Sequence, residues 1–365
     1  MASAAAQLFA PPRRIATEVV RQHVEQAAFL WAQRDTWSLE DPPDEAVIAE
    51  IGQRLEINLD GLRIVGSAAW PFVDRQLEDF PDKGEFFVAG WMAIEQGDAK
   101  RVESTIEAAR QAEERRGLVG ALSWHKPQKM GKLVRDWLGA HDALLRYLGV
   151  AACAAHDVDP KRLLGRLVRD PDADTRALSL RLAGRLKRTD LTQEMAAAMQ
   201  AEDDAVRLWA GWALTELGYG DLARAELRKA ATAGTPDALA ALRAAVKAGP
   251  EKEVRAWLGG LMKSSDTAPV AVRGIGMLGD RSVLPWLIKQ MRKPELATTA
   301  GAAFLELCAE ARDDDDLFTT DPVALGPEFL HYFGDATPRM PMADKVMEWS
   351  MIGNRLPEGP GRDRL

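Results

Sequence analysis

Asp142-Ala-Leu-Leu-Arg146, Asp172-Ala-Asp-Thr-Arg176 and Asp203-Asp-Ala-Val-Arg207 are three versions of one short pattern. Each begins with an aspartate, ends with an arginine and is followed by small and apolar residues. The arginine recurs at steps of 30, 30, 31, 36 and 30 residues. The series is Arg116, Arg146, Arg176, Arg207, Arg243 and Arg273. Repeats of about 20–50 residues mark stacked units, none of which buries its apolar face alone, so the spacing predicts an all-α solenoid.

The sequences before and after the arginine series differ from the repeats, so we predict three regions in the chain. Residues 1–84 are unlike the repeats, and we expect an N-terminal helical capping region there, since a solenoid needs a dedicated first layer. Residues 85–311 hold the repeats. Residues 312–365 form an irregular C-terminal extension, in which the last ten residues, 356–365, have the composition of a disordered tail.

Periodicity and turn residues give the helix boundaries. In the capping region, residues 1–12 have a flexible composition. Helices are expected over about 13–34 and from Asp44 through Asn58, and the Asp-Gly at 60–61 predicts a turn after the second of them. The repeat helices pair as 85–96 with 99–114, 116–124 with 130–138, 142–155 with 160–169, 174–186 with 190–200, 203–217 with 222–233, 236–248 with 252–262 and 268–278 with 283–291. A last helix, 297–311, has no clear partner.

Composition narrows the function. The chain has 365 residues, is 47% hydrophobic and carries a formal charge of −8, which argues against general nucleic-acid binding. Cys153 and Cys308 are far apart in the sequence, and each lies in an apolar segment with a helical pattern. We therefore expect both to be buried free thiols, as in a reducing compartment. No stretch resembles a signal peptide or reaches the length of a membrane span. These features predict a cytoplasmic protein.

Residue patterns that could carry chemistry have simpler structural interpretations. Gly274-Ile-Gly-Met-Leu-Gly279 spells a dinucleotide fingerprint, but no strand precedes it, so we expect Gly276 in a helix or its final turn. The five histidines are dispersed, and His125 is the most interesting because Pro127 predicts a loop beside it. The Asp313–Asp316 run lacks the alternation of a calcium loop. We therefore assign no catalytic, cofactor-binding or metal-binding residue and predict a protein that is not an enzyme.

Tryptophans recur in the second helices of the pairs. Val134-Arg-Asp-Trp-Leu-Gly139 is similar to Val254-Arg-Ala-Trp-Leu-Gly259, and Leu284-Pro-Trp-Leu-Ile288 has the same Trp-Leu step. We expect equivalent packing between repeats for Trp137, Trp257 and Trp286. For binding a partner protein, the candidates are Trp31, Arg34 and Trp124, because tryptophan and arginine dominate protein-protein hot spots.

Several segments resemble a bacterial HEAT-repeat family of otherwise uncharacterised proteins. They are His23-Val-Glu-Gln-Ala-Ala-Phe-Leu-Trp-Ala-Gln-Arg34, Leu59-Asp-Gly-Leu-Arg-Ile-Val-Gly66, Gly84-Glu-Phe-Phe87, Arg116-Gly-Leu-Val-Gly-Ala-Leu-Ser-Trp124 and Ala303-Phe-Leu-Glu-Leu307. The sequence departs from the family pattern at Gln26 and Asn58. The resemblance implies an intracellular bacterial protein often encoded near type VI secretion genes, with no established catalytic activity.

We therefore predict a non-enzymatic interaction protein, an accessory or adaptor for type VI secretion effectors. Its partner would be another protein encoded nearby: an effector, a spike component or a toxin. The stacked second helices would form the wall that holds it. Two alternatives remain open: an immunity protein that blocks a toxin, and an enzyme similar to the HEAT-repeat lyases that act on bilins.

Overall fold

The computed structural model describes residues 16–352. Nearly all regular secondary structure in this part of the chain is helical, which confirms the predicted all-α fold of stacked helix pairs. Its contacts divide the chain into two compact units, with unit 1 ending at Pro160 and unit 2 starting at Lys161. The predicted flexible start at 1–12, the first residues of the predicted helix over 13–34, and the predicted disordered tail at 356–365 lie outside the described residues.

Unit 1 contains three N-terminal helices and two complete helix pairs. The helices are α1 (Thr17–Trp37), α2 (Glu45–Val65), α3 (Trp70–Asp79), α4 (Lys83–Gln96), α5 (Ala99–Gln111), α6 (Arg116–Trp124), α7 (Pro127–Leu138) and α8 (Ala143–Ala155). In each pair we call the earlier helix the first helix and the later one the second helix. One apolar core joins the first helices α4 and α6 to α1, α2 and α3.

Unit 2 continues the pairs and ends in the C-terminal extension. Its helices are α9 (Arg162–Leu167), α10 (Ala173–Arg185), α11 (Thr192–Ala198), α12 (Asp204–Glu216), α13 (Arg224–Ala231), α14 (Ala238–Lys247), α15 (Glu251–Leu261), α16 (Ala268–Met277), α17 (Leu284–Met291), α18 (Pro294–Leu307), α19 (Pro327–Phe333) and α20 (Ala343–Met351). Strands β1 (Phe318–Thr319) and β2 (Met340–Pro341) pair antiparallel. The ring of Trp349 packs edge-on against Phe304, so the extension contributes to the core.

The aspartates of the repeated pattern begin helices in the same way. Asp142, Asp172 and Asp203 have nearly identical backbone angles, with φ between −72° and −75° and ψ between 123° and 127°. Each side chain accepts a hydrogen bond from the backbone N–H three residues later, at 2.8–3.0 Å. This is N-capping, which satisfies a donor that the first helical turn leaves open.

The arginines of the pattern fasten the preceding loop to the helix. Arg146 and Arg207 each donate to the two carbonyl oxygens five and six residues upstream, at distances of 2.6–3.3 Å. Arg243 and Arg273 act differently, because both donate to the carboxylate of Glu306 in α18. The hydrogen bonds from Arg243 outweigh burial and, with those from Arg273, lower the pKa of Glu306 to about 2.

Two features of the capping region differ from the sequence prediction. Helix α2 runs to Val65, past Asn58 and through the Asp-Gly at 60–61. Gly61 lies in this helix where the His23 ring packs against it, and an added Cβ would lie 2.6 Å from His23 Nε2, so a larger residue does not fit. His23 Nδ1 also donates to Asn58 Oδ1 at 3.0 Å, so tertiary contacts override the turn signal. Helix α3 was not predicted.

The glycines of the false dinucleotide fingerprint serve packing. Gly276 lies in α16, which confirms the helical prediction. A Cβ on Gly276 would lie 2.7 Å from the Cα of Ala303, so only glycine allows α16 and α18 to approach this closely. Gly279 follows the helix with φ of 73°, in the left-handed region.

We expect Gly276→Ala to destabilise unit 2 by about 1–3 kcal/mol, because the new methyl overpacks the backbone of Ala303. Gly259 in α15 is the matched control, since a Cβ there meets no atom within 4 Å. Gly259→Ala should be neutral or stabilising by up to about 1 kcal/mol through helix propensity. Urea denaturation measures both. Equal effects of the two substitutions would contradict the close-packing assignment.

The Glu306 cluster predicts a pH-dependent stability. The folded-state pKa of Glu306 is lowered to about 2, below its ordinary value of 4.5. The ionised carboxylate therefore adds to the free energy of unfolding above pH 4.5, and this stabilisation is lost as the pH falls towards 2. Glu306→Gln should cost roughly 2–3 kcal/mol at pH 7 and progressively less in acid. The control is Asp344→Asn, which removes an exposed ion pair with Arg292 and should cost under about 1 kcal/mol. A Glu306→Gln penalty that stays constant from pH 7 to pH 2.5 would refute the assignment.

Candidate protein-binding site

The structure brings the three sequence-predicted binding residues together in unit 1. The Trp31 ring stacks on Phe87 at a centroid distance of 4.9 Å, and Trp124 meets the same Phe87 edge-on at 5.8 Å. Trp31 is only 4% exposed, and it fills the space that a Cβ on Gly120 would occupy. Trp31 is therefore a core residue of α1, so its predicted direct contact with a partner does not fit its burial.

Arg34 and Trp124 form the exposed part of this cluster. The Arg34 guanidinium lies over the Trp124 ring, 5.2 Å from its centroid, in a cation–π arrangement. Trp124 Nε1 donates to the carboxylate of Glu56 at 2.8 Å, which fixes the ring. Both Arg34 and Trp124 are half-buried, and among residues 16–352 no ion pair is formed by Arg34. These two residues remain predictions as partner contacts.

Asp35, directly after Arg34, ties α1 to the first helices of both pairs. Its carboxylate accepts from Lys83 Nζ at 3.0 Å and from Arg116 Nε at 2.6 Å. Burial raises the pKa of Asp35, but the hydrogen bonds from Arg116 and Lys83 more than offset this and hold the pKa below its ordinary value. Arg116, the first of the arginine series, therefore anchors α1 rather than its own loop.

His125 belongs to a polar cluster that has a structural explanation. Its Nε2 donates to the Trp91 carbonyl oxygen at 3.0 Å, and the two rings stack at 5.7 Å. Nδ1 lies 3.5 Å from a Glu95 oxygen, and the same carboxylate pairs with Lys129 Nζ at 2.7 Å. Burial lowers the pKa of His125, so the neutral imidazole is favoured. The cluster fixes the loop between α6 and α7.

A groove of about 590 Å³ lies on the second-helix side of unit 1. The first helices α4 and α6 pack closely, whereas the second helices α5 and α7 are held apart, and the groove occupies the space between them. Its apolar residues are Val102, Ile106, Leu133, Trp137 and Leu145. Its charged residues are Lys100, Glu103, Glu107, Arg110 and Asp142. An apolar floor with a charged rim of both signs is the anatomy of a protein-binding surface.

The sequence prediction placed the binding wall on the second helices, but it named none of the groove residues as a partner contact and assigned Trp137 to packing between repeats. The sequence feature that could have indicated the groove is the apolar stripe of α5. Val102, Ile106 and Ala109 recur there at helical spacing beside an exposed charged face. The groove also needs α5 and α7 to diverge, and that depends on tertiary packing.

The possible metal ligands, the cysteines and the helix lengths bear on other kinds of function. Among residues 16–352, no group of three or more histidine, cysteine, aspartate or glutamate side chains is placed to hold a metal ion. Cys153 and Cys308 are both buried, and burial raises the pKa of Cys153 to about 11, which disfavours the reactive thiolate. Over the same residues, every helix is too short or too polar to span a bilayer.

Comparison with known proteins supports the repeat assignment. Residues 160–263 match the family model described as HEAT repeats, and almost all of this segment lies in unit 2. The matched segment begins just before α9 and includes the Asp172 and Asp203 copies of the pattern. No curated protein matches the chain. HEAT repeats suggest a scaffold for protein-protein interaction.

We expect substitutions of Trp31 and Arg34 to differ strongly in their effect on the stability of unit 1. Trp31→Ala should destabilise unit 1 by about 3–5 kcal/mol, because it removes a buried ring stacked on Phe87. Arg34→Ala should cost about 1 kcal/mol or less, since it removes one half-exposed cation–π contact. Both effects are measured by urea denaturation followed by circular dichroism. A Trp31→Ala protein as stable as the parent would contradict the core assignment.

Proposed function

We propose that this protein is a non-enzymatic scaffold that binds another protein through the groove between α5 and α7. The observation that carries the proposal is the divergence of two second helices over an apolar floor within the helix stack of unit 1. The HEAT-repeat match covers residues 160–263, outside the groove, and supports only the general scaffold role, because such arrays present extended surfaces to macromolecular partners.

The groove fits an amphipathic helix of the partner. The α5 residues that line it extend from Ala99 to Arg110, which corresponds to about three helical turns, or roughly 16 Å. A helix of that length places apolar residues at i, i+3 or i+4 and i+7 on one face, which matches the floor made by Val102, Ile106 and Trp137. Because Val102, Ile106 and Trp137 are already buried, the apolar surface left for a partner helix to cover is that of the half-buried Leu133 and Leu145 beside them.

The charges around the groove predict which charged residue the partner helix carries. Arg110 is already paired with Glu107 at 3.2 Å and with Asp142 at 2.8 Å. Glu103 is exposed on the rim and forms no ion pair among the described residues. We therefore expect a lysine or arginine of the partner beside Glu103, where opposite charges favour encounter and register.

The narrower proposal is that the partner is an effector, spike component or toxin of type VI secretion and that this chain is its accessory or adaptor. It rests on the family resemblance of the N-terminal segments, from His23 to Arg34 and from Leu59 to Gly66. The second-helix wall predicted from the sequence supplies a surface of the right kind. Arg34 and Trp124, on the first-helix side, are the second candidate contact.

The test locates the binding surface before the partner is known. A photo-crosslinking amino acid replaces Ser104 on the groove rim and, as the matched control, Ser67 on an exposed turn of the same unit. Both proteins are expressed in the native bacterium, irradiated and analysed by mass spectrometry. We expect one protein to be crosslinked from position 104 and not from position 67. Equal crosslinking from both positions would refute the groove as the binding surface.

A substitution in the groove then measures its contribution to affinity. Leu133→Glu puts a charge beside the floor and should weaken binding of the purified partner at least about tenfold. Ile64→Glu is the control, because Ile64 is 75% exposed on α2 and outside the groove. Wild-type affinity of Leu133→Glu would contradict the proposal. A crosslinked partner unrelated to secretion would overturn the adaptor role and leave the scaffold role in place.

A further inference from the structure

We propose that the outer face of α1 and α2 is a two-fold interface with a second copy of this chain. The two helices pack against each other, and the outer face is the side that they turn to solvent in unit 1. It lies on different helices from the groove between α5 and α7. The inference therefore goes beyond the proposed function, and the two surfaces can be tested separately.

The outer face of α1 is an uncharged stripe. Its residues recur three and four positions apart, the spacing that brings side chains to one side of a helix, and they are Val19, Gln22, Gln26, Phe29 and Gln33. Val19 is 48% exposed and Phe29 is 64% exposed. The nearby charges of α1 pair with one another beside the stripe, through Arg21 with Glu18 and Glu25. Glutamine both donates and accepts hydrogen bonds, so this stripe can lie against either sign of charge.

The outer face of α2 has apolar and unpaired charged residues at the same spacing. They are Glu50, Arg54, Ile57, Gly61 and Ile64. Ile57 is 67% exposed and Ile64 is 75% exposed. Glu50 and Arg54 are also exposed, and among residues 16–352 neither forms an ion pair. Large apolar residues exposed at this spacing indicate a surface that another helix can cover.

The two stripes lie at matching levels along α1 and α2. His23 contacts both Asn58 and Gly61, and Arg34 lies 3.6 Å from the position of a Cβ on Gly52. The helices are therefore antiparallel. These contacts put Val19 at the level of Ile64, Phe29 at the level of Arg54 and Gln33 at the level of Glu50.

A two-fold axis parallel to these helices lays α1 of each copy over α2 of the other at the same levels. Val19 then meets Ile64 of the second copy, which is an apolar contact. Phe29 meets Arg54 in a cation–π contact, and Gln33 meets the carboxylate of Glu50, which accepts a hydrogen bond. Each contact occurs twice, because a two-fold interface is made of the same surface from both copies. The fit of three different pairs in one register favours a second copy over an unrelated protein.

The outer face is large enough for a specific dimer. Helices α1 and α2 have 21 residues each. That number corresponds to a length of about 31 Å, and two packed helices give a face roughly 20 Å wide. The face therefore offers about 600 Å² per copy and about 1,200 Å² in total, at the lower end of the range for stable interfaces. We expect a dimer that dissociates on dilution.

The test measures the mass of the purified full chain by sedimentation equilibrium over a range of concentrations. Dimerisation doubles the mass of 40.0 kDa. Phe29→Arg puts an arginine against Arg54 of the second copy at two symmetric contacts, and it should weaken the dimer at least about tenfold. Phe80→Arg is the matched control, because Phe80 is 59% exposed and lies outside α1 and α2. It should leave the dimer unchanged, and both variants should keep the helical circular dichroism signal.

A second substitution tests the register. Adding Arg54→Glu to Phe29→Arg replaces the two repelling charges by an attracting pair, so the double variant should recover the dimer. Ile64→Glu, the control of the groove measurement, should dissociate the dimer and keep its affinity for the groove partner. This combination separates failure of the dimer from failure of the groove.

A photo-crosslinking amino acid at Gln26 identifies what covers the outer face. In the purified full chain we expect a link to α2 of a second copy, seen as a product with the mass of two chains. A link to residues 1–15 of the same chain, or the mass of one chain at every concentration, would overturn the proposal. So would an unchanged dimer in Phe29→Arg, equal losses in Phe29→Arg and Phe80→Arg, or no recovery on adding Arg54→Glu.

Discussion

Close approach of successive first helices is the constraint on which the rest of this structure depends. Each unit has glycines at these contacts, and a Cβ would lie under 3 Å from the neighbouring backbone at Gly84, Gly117, Gly184 and Gly276. The first helices α4 and α6 therefore pack closely, whereas the second helices α5 and α7 lie further apart. The groove of unit 1 lies between these two second helices.

Charges then join one repeat to the next. In unit 2, Glu216 accepts from Lys187 and Lys247, both at 2.6 Å, and links three successive first helices. On the second-helix side, ion pairs join Arg224 to Glu253 and Arg281 to Glu310, each at 2.8 Å with a separation of 29 residues. Each exposed pair is worth little alone, but their regular spacing fixes the register between repeats.

The sequence predicts features that depend on nearby residues, and it misses those that depend on distant ones. Asp142, Asp172 and Asp203 cap helices through contacts three residues away, so the capping can be predicted from the local sequence. The Asp-Gly at 60–61 has the local signal of a turn. The His23 ring that packs against Gly61 lies on another helix, so this contact is not visible in the local sequence. The convergence of Arg243 and Arg273 on Glu306 spans 63 and 33 residues. The groove cannot be read from the sequence either, because it depends on how α5, α7 and the residues between them pack.

The C-terminal extension has a consequence for self-association. An open stack of repeats ends in an apolar helix surface that could receive another repeat, including one from a second molecule. Here Phe318 and Pro341 lie 3.1 Å from the position of a Cβ on Gly301, and Met340, Val346 and Trp349 are buried over α18. The surface that a next repeat would use is therefore covered by the chain's own β1–β2 pair and α20. A second molecule would have to displace the β1–β2 pair and α20 before its own helices could pack on this face of α18.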